Sequence, residues 1–343
     1  MVRVGIVGLG YWGPNLVRNF SELPESEVTA LCDIDADRLQ KVSSRFPRAL
    51  ATADVDEVLD RDWVDAVVIS TPTRTHYSLA RKALEKGIHV FTEKPMATSI
   101  AECEELIKLS KKNGTKLFVG HIFLYNAAVQ KLKEYVTNGE LGNICYIFSS
   151  RLNLGPVRTD VNALWDLATH DISIILHLID SEPVSVNCQG LAYLNNKIHD
   201  VCTVTIHFKN GCMAILHSSW LDPNKVRQMT VVGDRKMAVY NDIDPLEKIK
   251  IYEKGIDKPL YSDNFGEFQF SYRYGDTFSP RIVEAESLKA ECQHFIQCVQ
   301  NGVEPRTNGL NGMEVVNVLT GADHSLHNGG GKVLLQSLAE NKQ

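Results

Sequence analysis

Asp166 and His170 stand four residues apart in the stretch Trp165-Asp166-Leu167-Ala168-Thr169-His170-Asp171. On a helix, that spacing puts a carboxylate and an imidazole on one face. The acid can then orient the ring and stabilise its protonated form, as a general base requires. A helix over Leu164–Ile179 carries Asp166, His170, Ser173 and His177 on that face. Leu164, Leu167, Ala168, Ile172, Ile175 and Ile179 fall on the other side, where they would pack on a sheet. Taken alone, such a polar face reads as a solvated flank. A metal site is not expected, because Asp166, His170 and His177 lack the H-E-x-x-H arrangement and no Cys/His cluster has zinc spacing.

A second signal lies near the start. Gly8-Leu9-Gly10-Tyr11-Trp12-Gly13 fits G-x-G-x-x-G between a strand-like run and a helical pattern. The first glycine allows a tight turn, the second lets backbone approach a pyrophosphate, and the third lets the helix pack closely on the strand. The helix N-terminus then receives the phosphate charge. Asp33 closes the second strand twenty residues beyond Gly13, where an acid accepts hydrogen bonds from the adenosine ribose and repels a 2′-phosphate. No Arg stands at 34 or 35, so the expected cofactor is NAD rather than NADP. Tyr11 and Trp12 flank the turn, with Trp12 read as a packing residue or a neighbour of the nicotinamide.

These residues need elements to hold them. Strand-like runs at Arg3–Val7, Val28–Cys32, Ala49–Ala51, Ala66–Ser70, His89–Thr92 and Lys116–Val119 alternate with helical patterns, which requires parallel pairing through crossovers. The expectation is an α/β chain with an N-terminal Rossmann doubly wound parallel sheet over residues 1–120. The grammar then changes to long alternating runs, giving a C-terminal α+β domain over 121–343 with a mostly antiparallel open sheet. Val201–Phe208 and Cys212–Ser219 meet at Asn210-Gly211, which reads as a type I′ hairpin. That register puts Val204, Ile206, Phe208, Met213 and Ile215 on one face, and Thr203, Thr205, His207, Ala214, Leu216 and Ser218 on the other. The second of these, half apolar and open, predicts a homodimer or homotetramer.

Two further stretches follow parallel strands at their carboxyl ends, where ligands of open α/β sheets bind. They are Ser70-Thr71-Pro72-Thr73-Arg74-Thr75-His76 and Thr92-Glu93-Lys94-Pro95. With the glycine turn, they resemble the glucose–fructose oxidoreductase/inositol dehydrogenase/MocA-type family, and Glu-Lys-Pro in this position is the most specific part of the match. The resemblance runs essentially the whole chain, through Gly120-His121, Gly139-Glu140-Leu141-Gly142 and Ala290-Glu291-Cys292-Gln293-His294-Phe295. It implies a Rossmann domain followed by an open sheet used for substrate binding and oligomerisation, and it includes an Asp-x-x-x-His pair, which Asp166 and His170 supply. Gly10–Asn15, Arg151–Arg158 and Ser219–Arg227 are similar to the nucleotide-sugar 3-dehydrogenase branch, which oxidises the 3-hydroxyl of UDP-N-acetylglucosamine or its uronic acid.

The resemblance implies an NAD-dependent sugar dehydrogenase with Lys94, Asp166 and His170 as the catalytic set. Either His170 or Lys94 takes the hydroxyl proton, Asp166 holds the imidazole, and Lys94 stabilises the developing alkoxide. Glu93 positions its neighbour, and Pro95 shapes the loop, with a cis peptide as one way to do so. Thr71, Pro72, His76, Glu93 and Lys94 join the glycine turn and Asp33 at the cofactor. His121, Arg151, Asn153, Arg158 and Asn162 are candidates for the sugar or its diphosphate, together with Lys94 and His170. Lys225 and Arg227 stand beside them as further basic residues. Inositol or free-sugar oxidation is the rival within the family. A nonenzymatic dinucleotide sensor is the rival from another class, although it has no need of an acid/base set.

Composition bounds the rest. The chain has 343 residues, with 36 Lys and Arg against 42 Asp and Glu, a net charge of −6, which argues against nucleic-acid coating. A hydrophobic fraction of 44% and a charged fraction of 23% suit a globular protein. No apolar run approaches the roughly 20 residues of a spanning helix, and no signal peptide precedes Val2–Val7, so no membrane association and a cytoplasmic location are expected. The eight cysteines form no C-x-x-C pair and are expected to be reduced and mostly buried. Arg74 stands where the family commonly has proline or a small residue, and only a surface role is suggested for His324 and His327.

Overall fold

The computed structural model describes residues 1–60, 62–155, 157–195, 198–257 and 271–338. Its first strands are Val2–Val7 (β1), Ser26–Cys32 (β2), Leu50–Thr52 (β3), Ala66–Ile69 (β4), His89–Glu93 (β5) and Leu117–Gly120 (β6). Between them lie helices Gly13–Glu22 (α1), Ala36–Ser43 (α2), Val55–Val58 (α3), His76–Glu85 (α4) and Ile100–Asn113 (α5). Val4, Ile6, Ala30, Leu31, Val67, Val68 and Val90 are fully buried, as strands covered by helices on both faces must be. All six strands pair in parallel in the order β3-β2-β1-β4-β5-β6, the doubly wound arrangement expected. Strand order reverses between β1 and β4, so their carboxyl ends open a crevice there. Asp35 caps α2 through the Asp37 and Arg38 amides, Ser99 caps α5, and Gly114 ends α5 with φ of 63°.

The chain continues through Ala127–Thr137 (α6), Ile144–Leu154 (β7) and Thr169–Leu178 (α7). There follow Pro183–Leu191 (β8), Val201–Phe208 (β9), Met213–Ser219 (β10), Leu221–Gly233 (β11), Met237–Asn241 (β12), Ile249–Asp257 (β13) and Ser271–Phe278 (β14). Ser287–Asn301 (α8), Gly309–His327 (α9) and Val333–Leu334 (β15) complete the described elements. The second sheet has nine strands in the order β14-β13-β12-β11-β7-β10-β9-β8-β15, antiparallel except at β7/β10.

Packing divides this chain differently from a single cut between 120 and 121. Ala285–Thr320 and Leu338 pack with Met1–Tyr125, while Asn126–Glu284 and Gly321–Ser337 form the second unit. The reason is aromatic: Phe295 of α8 meets Phe20, Phe91 and Phe118 edge to face at 6.2, 5.6 and 5.4 Å. The returning chain is also tied to β6, where Val119 N–H donates to Thr307 O at 2.8 Å.

The hairpin between β9 and β10 corrects the expected register by one residue. Gly211 has φ of 87° and no described non-glycine residue, Asn210 included, has positive φ, so Asn210 cannot occupy a type I′ turn. Gly211 N–H donates to Phe208 O and Phe208 N–H to Cys212 O, a type I turn closed by a glycine bulge. The extra residue pairs Ala214 with Ile206 and Leu216 with Val204. Cys202, Val204, Ile206, Phe208, Ala214, Leu216 and Ser218 therefore share the buried face. Ala214 and Leu216 do not lie on the open side, as the I′ register implied. The outward face carries Met213 and Ile215, beside Tyr146 and Phe148, which are 40% and 41% exposed.

The helix before β8 also departs from the expected uniform pattern. Leu164–Ala168 is π-helical and α7 begins only at Thr169. Ser173 is buried, with its hydroxyl donating to His170 O, instead of continuing a polar face. Residues 171–175 are buried throughout, so α7 is a core helix whose exposed side is confined to its ends. Among the described residues no helix is long and apolar enough to cross a membrane. All eight cysteines are free, and all but Cys145 are buried.

Candidate active site

The glycine turn leaves β1 at the crevice. Gly8 has φ of 94°, and a Cβ there would lie 2.7 Å from the Ser70 backbone. A Cβ on Gly13 would lie 2.2 Å from Gly8 O, so the start of α1 sits directly on the turn. Gly10 is different: the nearest atom to its would-be Cβ is Arg38 Nη1 at 3.8 Å, which leaves open space over the backbone. The N-terminus of α1 carries no side-chain cap and no acidic residue in its first turn; Pro14 has no N–H and Asn15 N–H donates to Trp12 O at 3.0 Å, so what this end offers an anion is the positive pole of the helix. Asp33 is buried and accepts Leu9 N–H at 2.6 Å and Asp35 N–H at 2.8 Å. Each carboxylate oxygen keeps a further lone pair for a ribose hydroxyl. These residues fit a dinucleotide: a cradle at Gly10, a bare helix end for the pyrophosphate, and a held carboxylate for the ribose.

The loops after β4 and β5 are joined to this turn. His76 is buried, with Nδ1 2.8 Å from Pro95 O and Nε2 2.8 Å from Thr71 O, so the ring bridges the two loops instead of facing a ligand. Thr71 Oγ1 accepts from the Thr75 hydroxyl at 2.7 Å, and Pro72 precedes a short 3-10 turn. The link from this loop to the glycine turn runs through Ser70, whose hydroxyl donates to Gly8 O at 2.7 Å, and the Trp12 indole favours the charged form of Glu93. Burial pushes Glu93 up to about 7 against the pull of the Lys94 ammonium. Lys94 is half-buried, and the Lys94–Pro95 peptide is cis. His121, after β6, is buried with neither ring nitrogen hydrogen-bonded. Burial, reinforced by Lys94, lowers it to about 3, which keeps the ring neutral. Glu291 of α8 is also buried without a hydrogen bond, and burial beside Glu93 holds it well above the usual carboxylate range. Its motif was visible in the sequence, but nothing there marked it as a neighbour of Glu93.

In the second unit, Asp166 lies within the π-helical turn and His170 follows in the first turn of α7. π-Turns of this kind are frequent at functional sites. Asp166 Oδ2 accepts Trp220 Nε1–H at 3.2 Å, and Oδ1 accepts from Arg158 Nη1 at 3.4 Å. Arg158 also pairs with Asp160. Asn162 Oδ1 accepts Trp165 N–H, and Asn162 Nδ2 and Trp165 Nε1 both donate to Asp323 Oδ1 at 3.2 Å, so Asn162 serves the start of the turn. Arg151 points under the sheet and grips Asp171 of α7 through two 2.9 Å hydrogen bonds, with both side chains 6% exposed. That pairing places it in the core between the sheet and α7. Asn153 is half-buried near the end of β7, and Arg227 pairs with Asp242. Trp220 stood in a quoted motif without a role, because pairing across the sheet with a helical turn leaves no periodic signal. Among the described residues no group of three His, Cys, Asp or Glu side chains is placed to hold a metal.

A family model described as "Oxidoreductase family, NAD-binding Rossmann fold" matches residues 2–121, and the GFO/IDH/MocA C-terminal domain matches residues 129–239. The UDP-N-acetylglucosamine 3-dehydrogenase of Acidithiobacillus ferrooxidans is 30% identical over 256 residues, covering 74% of this chain and 78% of the relative. The myo-inositol 2-dehydrogenase of Thermotoga maritima is 24% identical over 321 residues, covering 91% and 92%. Among solved structures, the WlbA dehydrogenase from Bordetella pertussis in complex with NADH and UDP-GlcNAcA has a TM-score of 0.80 at 20% identity, over 98% of this chain and 99% of that one.

Proposed function

We propose that this chain, which belongs to the GFO/IDH/MocA oxidoreductase family, oxidises a secondary hydroxyl of a sugar, C3 of a UDP-N-acetylhexosamine or its uronic acid. One observation carries the reading: Lys94 stands in the loop that His76 ties to the loop after β4, which Ser70 joins to Gly8 of the dinucleotide turn, and this gives a primary amine at the cofactor end of the Rossmann sheet. NAD held at that turn would supply the hydride acceptor. The glycine turn and the N-terminal end of α1 would hold its pyrophosphate and Asp33 its ribose, while Lys94 hydrogen-bonds the sugar hydroxyl and stabilises the alkoxide as its proton leaves. His170 accepts that proton and Asp166 keeps the imidazole oriented; Lys94 is the alternative base. Arg158, Asn153 and His121 remain candidates for the sugar nucleotide, the first two in the second unit.

We further propose a homodimer or homotetramer built on the outward face of the nine-stranded sheet. Tyr146, Phe148, Met213 and Ile215 form an apolar patch there, and a second copy would remove it from water. Light scattering showing a 38.3 kDa monomer at micromolar concentration would refute this.

Absorbance at 340 nm, with saturating NAD and either UDP-N-acetylglucosamine, its uronate or myo-inositol, identifies the substrate. His170→Asn should lower turnover on the order of 10²–10⁴-fold with NAD affinity nearly unchanged. Lys94→Ala should lose at least as much, and Asp166→Asn less. Near-wild-type turnover in both His170→Asn and Lys94→Ala would overturn this site and favour a dinucleotide sensor. Turnover of myo-inositol alone would replace the nucleotide-sugar substrate with the rival.

A further inference from the structure

Trp220 is 1% exposed and leads the fully buried side chains in volume. A buried indole N–H must be given an acceptor, and any backbone carbonyl would satisfy it. Here the acceptor is the Asp166 carboxylate, at 3.2 Å. The backbone makes that contact rigid. Trp220 N–H donates to Asp200 O at 3.1 Å, and Ala163 N–H donates to His199 O at 2.9 Å. One dipeptide, His199-Asp200, therefore holds both the residue that carries the indole and the residue that opens the Asp166 turn. Asp200 is itself buried and accepts the Tyr193 and Leu194 amides at 2.6 and 2.8 Å, which fixes the dipeptide in turn. From the other side, Asp323 of α9 holds Asn162 and Trp165. The turn is clamped at both edges, and the indole reaches the one carboxylate within it.

A π-turn needs such a clamp. Its i→i+5 bonding is less favourable than the α-helical pattern, so side chains in it depend on tertiary contacts for their orientation. We propose that Trp220 is a positioning residue for the oxidation, holding Asp166 in the one orientation from which it supports His170. The inference rests on the reading that Asp166 serves His170. Arg158, half exposed on the opposite oxygen, is the weaker restraint.

The test is a mutant cycle on the intact enzyme, read by turnover, sugar KM and NAD binding. Trp220→Phe keeps an aromatic ring and removes the N–H; kcat should fall about tenfold, with sugar KM and NAD affinity near wild type. In an Asp166→Ala background the same change should alter kcat by less than about twofold, because its effect travels through Asp166. Where the smaller ring prevents folding, Trp220→benzothienylalanine keeps the bicyclic shape with sulfur in place of the N–H, and the same losses are expected. Equal losses in both backgrounds, or a rise in sugar KM with kcat unchanged, would show that Trp220 acts as core packing or at the sugar, and would overturn the inference. Full activity of Trp220→Phe beside an impaired Asp166→Asn would overturn it alone. Wild-type turnover of Asp166→Asn would overturn the reading of the pair itself.

Discussion

Gly10→Ala separates folding from cofactor binding at a single atom. The added Cβ would have no protein atom closer than Arg38 Nη1 at 3.8 Å, and Gly10 is not among the glycines with positive φ. Apo stability should therefore stay within about 1 kcal/mol of wild type, with a slight gain from the reduced freedom of the unfolded chain. The methyl group occupies the space through which a pyrophosphate must approach. One charge-assisted amide hydrogen bond is worth about 1.5–3 kcal/mol, and withdrawal of the phosphate from the helix end costs about 0.3–1 more. A loss of about 3 kcal/mol corresponds to roughly 100-fold weaker NAD binding. Gly13→Ala is the matched control. Its Cβ would lie 2.2 Å from Gly8 O, so α1 must move off the turn, and apo stability should fall by about 1–3 kcal/mol. Calorimetric titration gives the NAD affinities, and thermal unfolding with and without NAD gives the rest. NAD should raise the Tm of wild type and leave that of Gly10→Ala almost unmoved. A Gly10→Ala protein with wild-type NAD affinity, or one that loses NAD only because it unfolds, would refute the placement of the pyrophosphate.

Asp33→Ser should narrow the preference for NAD over NADP by removing the repulsion of a 2′-phosphate; it should also cost about 1–3 kcal/mol of stability, because the buried Leu9 N–H loses a carboxylate partner. A wild-type enzyme that prefers NADP tenfold would sink the assignment. Arg151→Met should cost about 3–5 kcal/mol by stranding Asp171, and Arg151→Met with Asp171→Leu should recover most of it. A sugar KM that rises sharply in the stable double variant would instead return Arg151 to the substrate. Glu93 near 7 means that the native state holds a proton which the unfolded chain has released above about 4.5. Wild-type stability relative to Glu93→Gln should then fall as pH rises through that window, by about 2 kcal/mol once the solvent at its edge is allowed for. Denaturant titrations from pH 4 to 8 would reject this, in roughly that range, if the difference were flat or rose.

The glycine turn, Asp33 and the strand-end loops at Thr71 and Glu93 were legible in the sequence because they depend on local rules. A turn needs glycines at set spacings, and parallel strands read as short apolar runs that end where ligands bind. Asp166 and His170 stand out for a similar reason, as two chemical groups at helical spacing, and their joint role is the proposal made above. Local rules stop where partners come from far along the chain. Arg151 reads in the sequence as a candidate for a sugar diphosphate, and only the fold shows that Asp171 pairs with it and that Asp323 pairs with Asn162. Asn210-Gly211 promised a two-residue turn, yet one further residue in the loop inverted which side chains of β10 are buried. Periodicity likewise extended a regular helix through Asp166, where Trp220, Asp323 and the His199-Asp200 dipeptide hold a π-turn instead. Sequence spacing states which groups share a face only while the backbone keeps its period. Where that period breaks is decided by packing and hydrogen bonds that close over a hundred or more residues, as between Asn162 and Asp323, and these exist only in the folded chain.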